Sequence, residues 1–289
     1  MGHDKLRKFA ENETFSCLLQ PDSREIISHG EKGELLLNDH PIKGHWGAEM
    51  FGNDHPIIVE LGCGKGEYTI ALAERHPENN YIGVDIKGAR LWKGAKYATL
   101  NSLPNVAFLR TRIEFLPALF ATDEVSQIWL TFSDPQMKSE NSRLTSPLFL
   151  ERYRSIMVPG GIVHLKTDSR FLHEYSMAVV SANSLRLLAS TKDLYATSPE
   201  ELMNLGKTAG GCGSDEAGHP ASALRDIEAL YQVQTFYESM FLKMGIPITY
   251  MAFVIDHDGP FVYPEFDATY WRAAEGPRRS FSHNPAKEK

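Results

Sequence analysis

The sequence predicts an α/β domain with a doubly wound, mostly parallel sheet and an antiparallel edge. Short apolar runs with strand character alternate along the chain with amphipathic helical segments, and one unit, Ile57 to Asp85, joins two strands through a glycine-rich loop and a helix. Such alternation places helices on both faces of a parallel sheet. With 289 residues, 42% of them hydrophobic and 23% charged, the chain can bury a full core as one large domain with appendages.

The apolar pattern and the turn residues between the runs predict the order of the elements. Strands are expected at about 57–61, 80–85, 105–109, 125–132, 161–166 and 248–255. Helices are expected to begin near residues 66, 89, 113, 147, 170 and 224. The segment Pro247 to Pro264 is expected to form two β segments joined by a DHDG turn, as an antiparallel addition at the sheet edge.

Composition along the chain divides it into three expected parts. Residues 1–55 form an N-terminal extension, which is a candidate for contact with a substrate, and residues 56–272 form the main domain. Within that domain, residues 206–221 are rich in Gly, Ala and Ser and are expected to be a flexible insertion. Residues 273–289 are expected to be a disordered tail.

Charge, hydropathy and cysteine content exclude several classes of protein. A net charge of -7 argues against a broadly basic nucleic-acid binder, although it leaves room for a local basic surface. No apolar run is long enough to span a membrane, and the N-terminus lacks the apolar core of a signal peptide, so a cytoplasmic protein without membrane contact is expected. Cys17, Cys63 and Cys212 are odd in number and widely spaced, which predicts neither a disulfide framework nor a metal site.

The loop after the predicted strand 57–61 indicates a nucleotide-containing cofactor. Gly62, Gly64 and Gly66 let the backbone turn sharply and approach a ligand closely, and a helix N-terminus follows them. Asp85 ends the next strand, where a carboxylate can accept hydrogen bonds from both hydroxyls of a ribose.

Two cofactor classes compete for this pattern. A dinucleotide site has the spacing GxGxxG, whereas this loop reads GCGKG and is preceded by a carboxylate, Glu60. S-adenosylmethionine carries a positive ammonium and sulfonium and no phosphate, so a nearby carboxylate suits it and would repel the pyrophosphate of NAD. The spacing favours S-adenosylmethionine, with a solvated strand end as the alternative explanation of Glu60.

Two further acids follow predicted strands. The strand before FSDPQMK places Asp134 at the carboxyl edge of the sheet, where doubly wound folds bind their ligands. Pro135 restricts the backbone of Asp134 to an extended conformation. Asp168 ends the strand that contains HLK. Either acid could instead be a helix N-cap or a turn former. Their common position at the ends of successive strands makes them candidate site residues.

These motifs together resemble the bacterial tRNA (guanine-N7)-methyltransferase family, in a divergent branch. The resemblance runs from about Lys5 to Phe253 and rests on the order of VELGCGKGEYT, NYIGVDIKG, FSDPQMK, RLTSPLFLERYRSIMVPGG, HLKTDS and QTFYE. It implies a Rossmann-like class I S-adenosylmethionine-dependent methyltransferase fold. It also implies methyl transfer from S-adenosylmethionine to the N7 of a guanosine in the variable loop of tRNA.

The resemblance also implies roles for individual residues. Glu60 and Asp85 match the cofactor acids of the family, and Asp134 matches its proposed catalytic aspartate, which also belongs to the cofactor site. The family's adenine-contacting pair falls on Thr111 and Arg112, where an acid and a small residue are usual. The residues expected to contact the substrate are Lys138, Arg143, Asp168, Thr235 and Glu238.

Departures from the family pattern concern the substrate. The loop after Asp134 is shorter and less basic than is usual, with only Lys138 and Arg143 retained, and Met240 stands where an arginine is common. Lys5, Arg7 and Lys8 could supply further phosphate contacts. Two alternatives stay open: a methyltransferase for another RNA or a small molecule, and a noncatalytic cofactor-binding subunit that presents tRNA to a partner. A monomer and a homodimer are equally compatible with the sequence.

Overall fold

The computed structural model describes residues 2–202 and 227–275, which fold around one large sheet. Its eight strands lie in the order β1-β6-β5-β4-β7-β8-β10-β9, and β2 pairs with β3 in a separate hairpin. The strands are β1 (Leu18–Leu19), β2 (Ile27–His29), β3 (Leu35–Leu37), β4 (Ile57–Leu61), β5 (Asn80–Asp85), β6 (Val106–Arg110), β7 (Val125–Thr131), β8 (Met157–Thr167), β9 (Leu187–Thr191) and β10 (Thr249–Val254).

Helices cover both faces of this sheet. They are α1 (Gly2–Asn12), α2 (Ser23–Ile26), α3 (Glu67–Arg75), α4 (Gly88–Leu100), α5 (Pro147–Arg154), α6 (Arg170–Ala182), α7 (Ile227–Gln232), α8 (Phe236–Lys243) and α9 (Thr269–Glu275). Shorter turns are a π-helix at Trp46–Phe51 and 3₁₀ helices at Ile113–Ala118 and Glu140–Ser142. In the parts of the chain that the structure describes, no helix has the length and apolar character needed to cross a membrane.

The central strands are buried on both faces. Every residue of β4 and of β5 is buried. Along β4, Val59 and Leu61 join one hydrophobic cluster and Ile58 joins the other, because side chains alternate between the two faces of a strand. Burial on both faces explains why these strands are continuous apolar runs in the sequence.

The N-terminal extension packs against the main domain. Strand β1 pairs in parallel with β6, with Leu18 opposite Phe108. Helix α1 lies along α4, and the Asn12 side chain donates a hydrogen bond to the Gly88 carbonyl at 3.0 Å. Trp46 is fully buried and donates to the Leu119 carbonyl at 2.8 Å. The extension therefore adds a strand to the sheet and helps to close the core.

The doubly wound, mostly parallel sheet with an antiparallel edge is confirmed. Parallel pairing links β1, β6, β5, β4, β7 and β8, and β10 runs antiparallel to both β8 and β9. The predicted strands agree closely with β4, β5, β6, β7 and β10, whereas β8 begins earlier than predicted, at Met157.

Other details of the prediction were wrong. The second β segment expected before Pro264 does not form, because residues 255–264 follow an irregular path. Strand β10 lies between β8 and β9, so the edge strand is β9, which the sequence pattern did not reveal. The segment near residue 113 is a 3₁₀ turn with Pro117 inside it. The predicted insertion 206–221 and most of the predicted tail lie outside the described residues, although α9 extends to Glu275.

Candidate active site

The glycine-rich loop connects β4 to α3 at the carboxyl edge of the sheet. Gly62, Gly64 and Gly66 have φ values of 79°, 60° and 72°, a region that strains residues with a side chain. A Cβ atom on Gly66 would also lie 2.4 Å from the ring of Phe108. The Gly62 amide donates to the Val84 carbonyl at 2.8 Å, which ties the loop to β5. The path of this loop therefore depends on glycine.

Glu60 lies buried beneath this loop. Its carboxylate accepts a hydrogen bond from the Thr69 amide at 2.8 Å and also from the hydroxyls of Thr69 and Thr131. Burial raises the pKa of Glu60 above its usual value, and the hydrogen bonds from Thr131 and Thr69 oppose that shift. The carboxylate thus joins β4, α3 and β7 at the base of the site.

Asp85 lies at the end of β5, next to the loop. One oxygen of its carboxylate accepts from the Gly64 amide at 3.0 Å, and the other accepts from the Lys87 amide at 2.7 Å. These two contacts orient the carboxylate between the glycine loop and the start of α4. An acid and a loop that are separate in the sequence therefore form one structural unit.

An open cleft lies above this unit. Its floor includes Glu60 and the glycine loop, and one wall is the end of β7 at Thr131 and Phe132. The start of α8 forms another wall, where the Phe236 amide donates to the Glu67 carboxylate at 3.0 Å. Arg90 lies at its rim.

The start of α8 is held by a capping box. Thr235 is the N-cap: its hydroxyl accepts from the Glu238 amide at 3.2 Å, and the Glu238 carboxylate accepts from the Thr235 amide at 3.3 Å. Glu238 is fully buried, and its carboxylate lies 2.7 Å from the Lys166 ammonium and accepts from the Tyr195 hydroxyl at 2.8 Å. Thr235 therefore lines the cleft, whereas Glu238 points into the protein.

Lys166 is the buried cation that anchors this helix. Its ammonium also donates to the backbone carbonyls of Leu230 at 2.7 Å and Val233 at 3.2 Å. Burial lowers the pKa of Lys166, and the nearby Glu238 carboxylate opposes that shift. Lys166 thus connects β8 to α7 and to the turn between α7 and α8.

The chain turns sharply after β7. Phe132 and Gln136 have φ values of 50° and 47°, and the exposed Asp134 between them accepts from the Gln136 amide at 3.0 Å. Lys138 follows on the exposed part of the same loop. Asp168 is half-buried at the end of β8, the neighbouring strand. The two acids thus lie at the ends of adjacent strands, as the sequence predicts.

Arg143 is placed differently from the sequence-based expectation. It is buried, and its guanidinium lies 4.7 Å from the centre of the Phe171 ring and 4.2 Å from that of Tyr175. The guanidinium also lies 3.6 Å from the carboxylate of Glu140. A guanidinium held in this way connects the loop after β7 to α6.

Thr111 and Arg112 follow β6, on the other side of β5 from the cleft. Thr111 is buried, and Arg112 is exposed with its guanidinium 3.1 Å from the Glu114 carboxylate. The structure therefore brings Glu60, the glycine loop, Asp85 and Thr235 together, and leaves Thr111 and Arg112 on the flank. Four residues of the site were not predicted from the sequence: Glu67, Thr69, Thr131 and Lys166. A signal for Lys166 was present, since a lysine inside an apolar strand requires a partner.

Comparison with known proteins agrees with this architecture. Residues 54–207 match a family model described as a putative methyltransferase. A protein of Christiangramia forsetii is 44% identical over 256 residues, covering 87% of this chain and 98% of its own length. A protein of Bacteroides thetaiotaomicron is 39% identical and covers 92% of each chain, and one of Porphyromonas gingivalis is 45% identical over 74% of this chain and 77% of its own.

Each of these three relatives is named tRNA (guanine-N(7)-)-methyltransferase. The residues matched by the family model include the glycine loop and the turn after β7. The chain belongs to the tRNA (guanine-N7)-methyltransferase family.

Proposed function

We propose that this protein transfers a methyl group from S-adenosylmethionine to the N7 of a guanosine in the variable loop of tRNA. The observation that carries the proposal is the contact between the Asp85 carboxylate and the Gly64 amide, which joins the ribose acid to the glycine loop. It occurs in a chain that is 44% identical to a tRNA (guanine-N(7)-)-methyltransferase along nearly the whole of that relative.

The residues around the cleft suit S-adenosylmethionine, the cofactor that the family implies. Gly62, Gly64 and Gly66 allow close approach, Asp85 is oriented for a ribose, and Glu60 lines the base of the cleft, where it is proposed to meet the amino-acid end of the cofactor. When bound there, S-adenosylmethionine supplies an electrophilic methyl group on a sulfonium. Thr111 and Arg112, at the end of β6, would face the adenine end.

The chemistry requires positioning more than proton transfer. The N7 atom of guanine has a lone pair in the plane of the ring, so it attacks the methyl group without first losing a proton. Catalysis then depends on holding the base in line with the methyl group. Asp134, exposed at the end of β7, is the proposed electrostatic partner, because a fixed carboxylate stabilises the positive charge that develops on the ring.

Substrate contacts are assigned by exposure. Lys138 is exposed on the loop after β7, Asp168 is half-buried directly after β8, and Thr235 lines the cleft; all three remain proposed contacts. We reassign Arg143 and Glu238 as supports of the turn after β7 and of α8, because both side chains are buried and already engaged.

Phosphate contact is proposed for an N-terminal basic surface, defined as Lys5, Arg7, Lys8, Arg90 and Lys93. Because α1 lies along α4, these side chains extend from the cleft rim to the N-terminus of the chain. The charged groups of Arg7 and Lys8 lie 5.2 and 4.9 Å from the ring centre of Trp92. Asp4, Glu11 and Glu67 neutralise part of this charge, which leaves a smaller positive excess on an acidic protein.

One incubation tests the proposed function. Purified protein is mixed with methyl-labelled S-adenosylmethionine and bulk tRNA, and the modified nucleoside and its position are mapped. Labelled 7-methylguanosine in the variable loop is expected. A label on another nucleoside or another RNA would support a different substrate, and cofactor binding without any label transfer would support the noncatalytic alternative. Because its proposed partner is tRNA, we propose that the enzyme works in the cytoplasm. A monomer and a homodimer are both compatible with this proposal.

A further inference from the structure

Two aromatic rings are exposed at the wall of the cofactor cleft. Phe236 is 56% exposed and Tyr237 is 50% exposed, and their ring centres lie 5.8 Å apart in an edge-to-face arrangement. Both line the cleft. Large apolar side chains gain free energy when they leave water, so adjacent exposed rings at a functional cleft indicate a surface that becomes covered by a ligand.

The backbone beneath these rings is fixed from three directions. The capping box of Thr235 and Glu238 closes the first turn of α8, and the Phe236 amide is bound to the Glu67 carboxylate on α3. The buried Lys166 ammonium holds Glu238 from β8. Rings on a fixed backbone lose little conformational freedom when a flat ligand stacks on them.

The rings lie on the side of the cleft that is formed by β7 and α8. Phe132, at the end of β7, stacks on Phe241 of α8 with ring centres 6.1 Å apart, so α8 is packed against the strand that leads to Asp134. The ribose acid Asp85 ends β5 and Thr111 follows β6, and both strands lie on the opposite side of β4 from β7. The Lys65 ammonium lies over the Phe236 ring, 5.1 Å from its centre, so it covers part of one ring face, although Phe236 is still 56% exposed.

We propose that Phe236 and Tyr237 form a stacking platform for the target guanine of the tRNA, in which one ring stacks on the face of the base and the other, inclined at 74° to it, borders the edge of the base. This inference rests on the proposed function, since it assumes that a nucleobase is the acceptor. The reactive lone pair of N7 lies in the plane of the base, so a ring stacked on the face of the base fixes that plane and leaves the N7 edge open. Proteins that recognise bases outside a helix use aromatic stacking in this way.

Stacking also favours the reaction step. Methylation at N7 gives the guanine ring a positive charge, and the face of an aromatic ring attracts a cation. The contact is therefore stronger in the transition state than in the bound substrate, which is the condition for a contact to accelerate the step. Phe236 and Tyr237 thus contribute to turnover as well as to binding.

The test compares leucine and aromatic substitutions at the two positions. Leucine keeps the apolar character and the helix propensity but removes the flat face. The double variant Phe236→Leu, Tyr237→Leu is expected to lose roughly 5- to 150-fold in kcat/KM on tRNA, from the usual strength of base stacking on an aromatic side chain. The swapped variant Phe236→Tyr, Tyr237→Phe is expected to stay close to the wild type. Tyr270→Leu, at a position 67% exposed on α9, is the matched control and is expected to leave kcat/KM unchanged.

Two further measurements separate stacking from other roles. The affinity of the double variant for S-adenosylmethionine, measured by calorimetry, is expected to equal that of the wild type; a loss as large as the loss in kcat/KM would assign the rings to the cofactor site and overturn the platform. The salt dependence of tRNA binding is expected to keep its slope, since no phosphate contact is removed.

The outcomes also distinguish this inference from the proposed function. A wild-type protein that does not methylate tRNA at guanine N7 overturns the proposed function and the platform with it. An active wild type whose double leucine variant keeps full kcat/KM overturns the platform alone. An active wild type with a large loss in the leucine variant, recovered by the swapped variant, supports both.

Discussion

The Lys166 ammonium and the Glu238 carboxylate lie 2.7 Å apart, and both side chains are fully removed from solvent. The pair connects a central strand to the first turn of the helix that carries Thr235, Phe236 and Tyr237. Removal of one charge would leave the other buried without its partner, which is more costly than loss of an exposed ion pair. The geometry of the cleft wall therefore depends on a contact far from solvent.

Replacement of Lys166 by methionine is expected to lower the free energy of unfolding by about 3–5 kcal/mol, because the Glu238 carboxylate is left unpaired. Chemical denaturation measures this loss. The double variant Lys166→Met, Glu238→Gln is expected to be more stable than the sum of the two single effects predicts, since it leaves no unpaired charge. Strict additivity of the two single effects would contradict the coupling.

Replacement of Asp85 by alanine is expected to weaken S-adenosylmethionine binding by about 1.5–3 kcal/mol for each charge-assisted hydrogen bond that is lost. Part of the effect comes from the loop, since the Asp85 carboxylate also orients the Gly64 amide. Calorimetry measures the change, with Asp54→Ala at an exposed position as the control. Unchanged affinity in the Asp85 variant, or tight NAD binding by the wild type, would refute the assignment.

Replacement of Asp134 by alanine is expected to reduce turnover on tRNA on the order of a hundredfold or more, with S-adenosylmethionine affinity unchanged. Asp134→Asn is the informative companion, because an amide oxygen can still accept from the Gln136 amide and keep the turn. If turnover requires the negative charge of Asp134, both the alanine and the asparagine variant lose turnover. Full activity in the asparagine variant would assign Asp134 to the turn alone.

Replacement of Lys5, Arg7, Lys8 and Lys138 by glutamine is expected to weaken tRNA binding and to flatten its dependence on salt. Each lost contact to a duplex phosphate lowers the log–log slope by about 0.9, and each contact to a single strand by about 0.7. The methylated base should stay the same, since phosphate contacts position and base contacts select. Equal slopes in the variant and the wild type would remove these residues from the interface.

Arg143→Gln is the control for this salt experiment. Because the guanidinium is buried between Phe171 and Tyr175, its loss is expected to lower stability without changing the salt slope. If Arg143→Gln flattened the salt dependence of tRNA binding as much as the loss of an exposed phosphate contact does, Arg143 would have to contact tRNA.

Two buried histidines are expected to make the protein sensitive to acid. Burial lowers the pKa of His164 from 6.5 to about 3 and that of His173 from 6.5 to about 4. Between about pH 4 and pH 6.5 the unfolded chain therefore binds protons that the folded protein does not, so stability falls as the pH is lowered through this window. Each histidine contributes up to about 1.4 kcal/mol per pH unit.

Denaturation across this pH range measures the slope. His164→Gln is expected to make it shallower, because one of the two groups no longer takes up a proton on unfolding. His164 stacks on Trp129 with ring centres 4.0 Å apart and shares a hydrogen bond with the Tyr250 hydroxyl at 2.9 Å, so the variant will also be less stable at neutral pH. A slope as steep as that of the wild type would exclude His164 as a source of the acid sensitivity.

The sequence by itself determined the features that depend on neighbouring residues. Strands β4 and β5 are continuous apolar runs because both faces of each are buried, and the loop of Gly62, Gly64 and Gly66 needs glycine because its backbone has positive φ. Asp85 could be paired with that loop because parallel strands end at the same edge of a sheet. The order of the motifs then identified the family.

Only the tertiary structure decided which polar side chains face the cleft. The TFYE motif is readable as a capping box, yet nothing near it in the sequence indicates that Glu238 pairs with Lys166 on β8. Arg143 is a typical surface residue by type and is nevertheless covered by two rings of α6. The insertion of β10 between β8 and β9 likewise had no local signal. Burial and pairing of this kind arise from segments that are far apart in the chain, so they depend on how the sheet and its helices pack and not on local propensity.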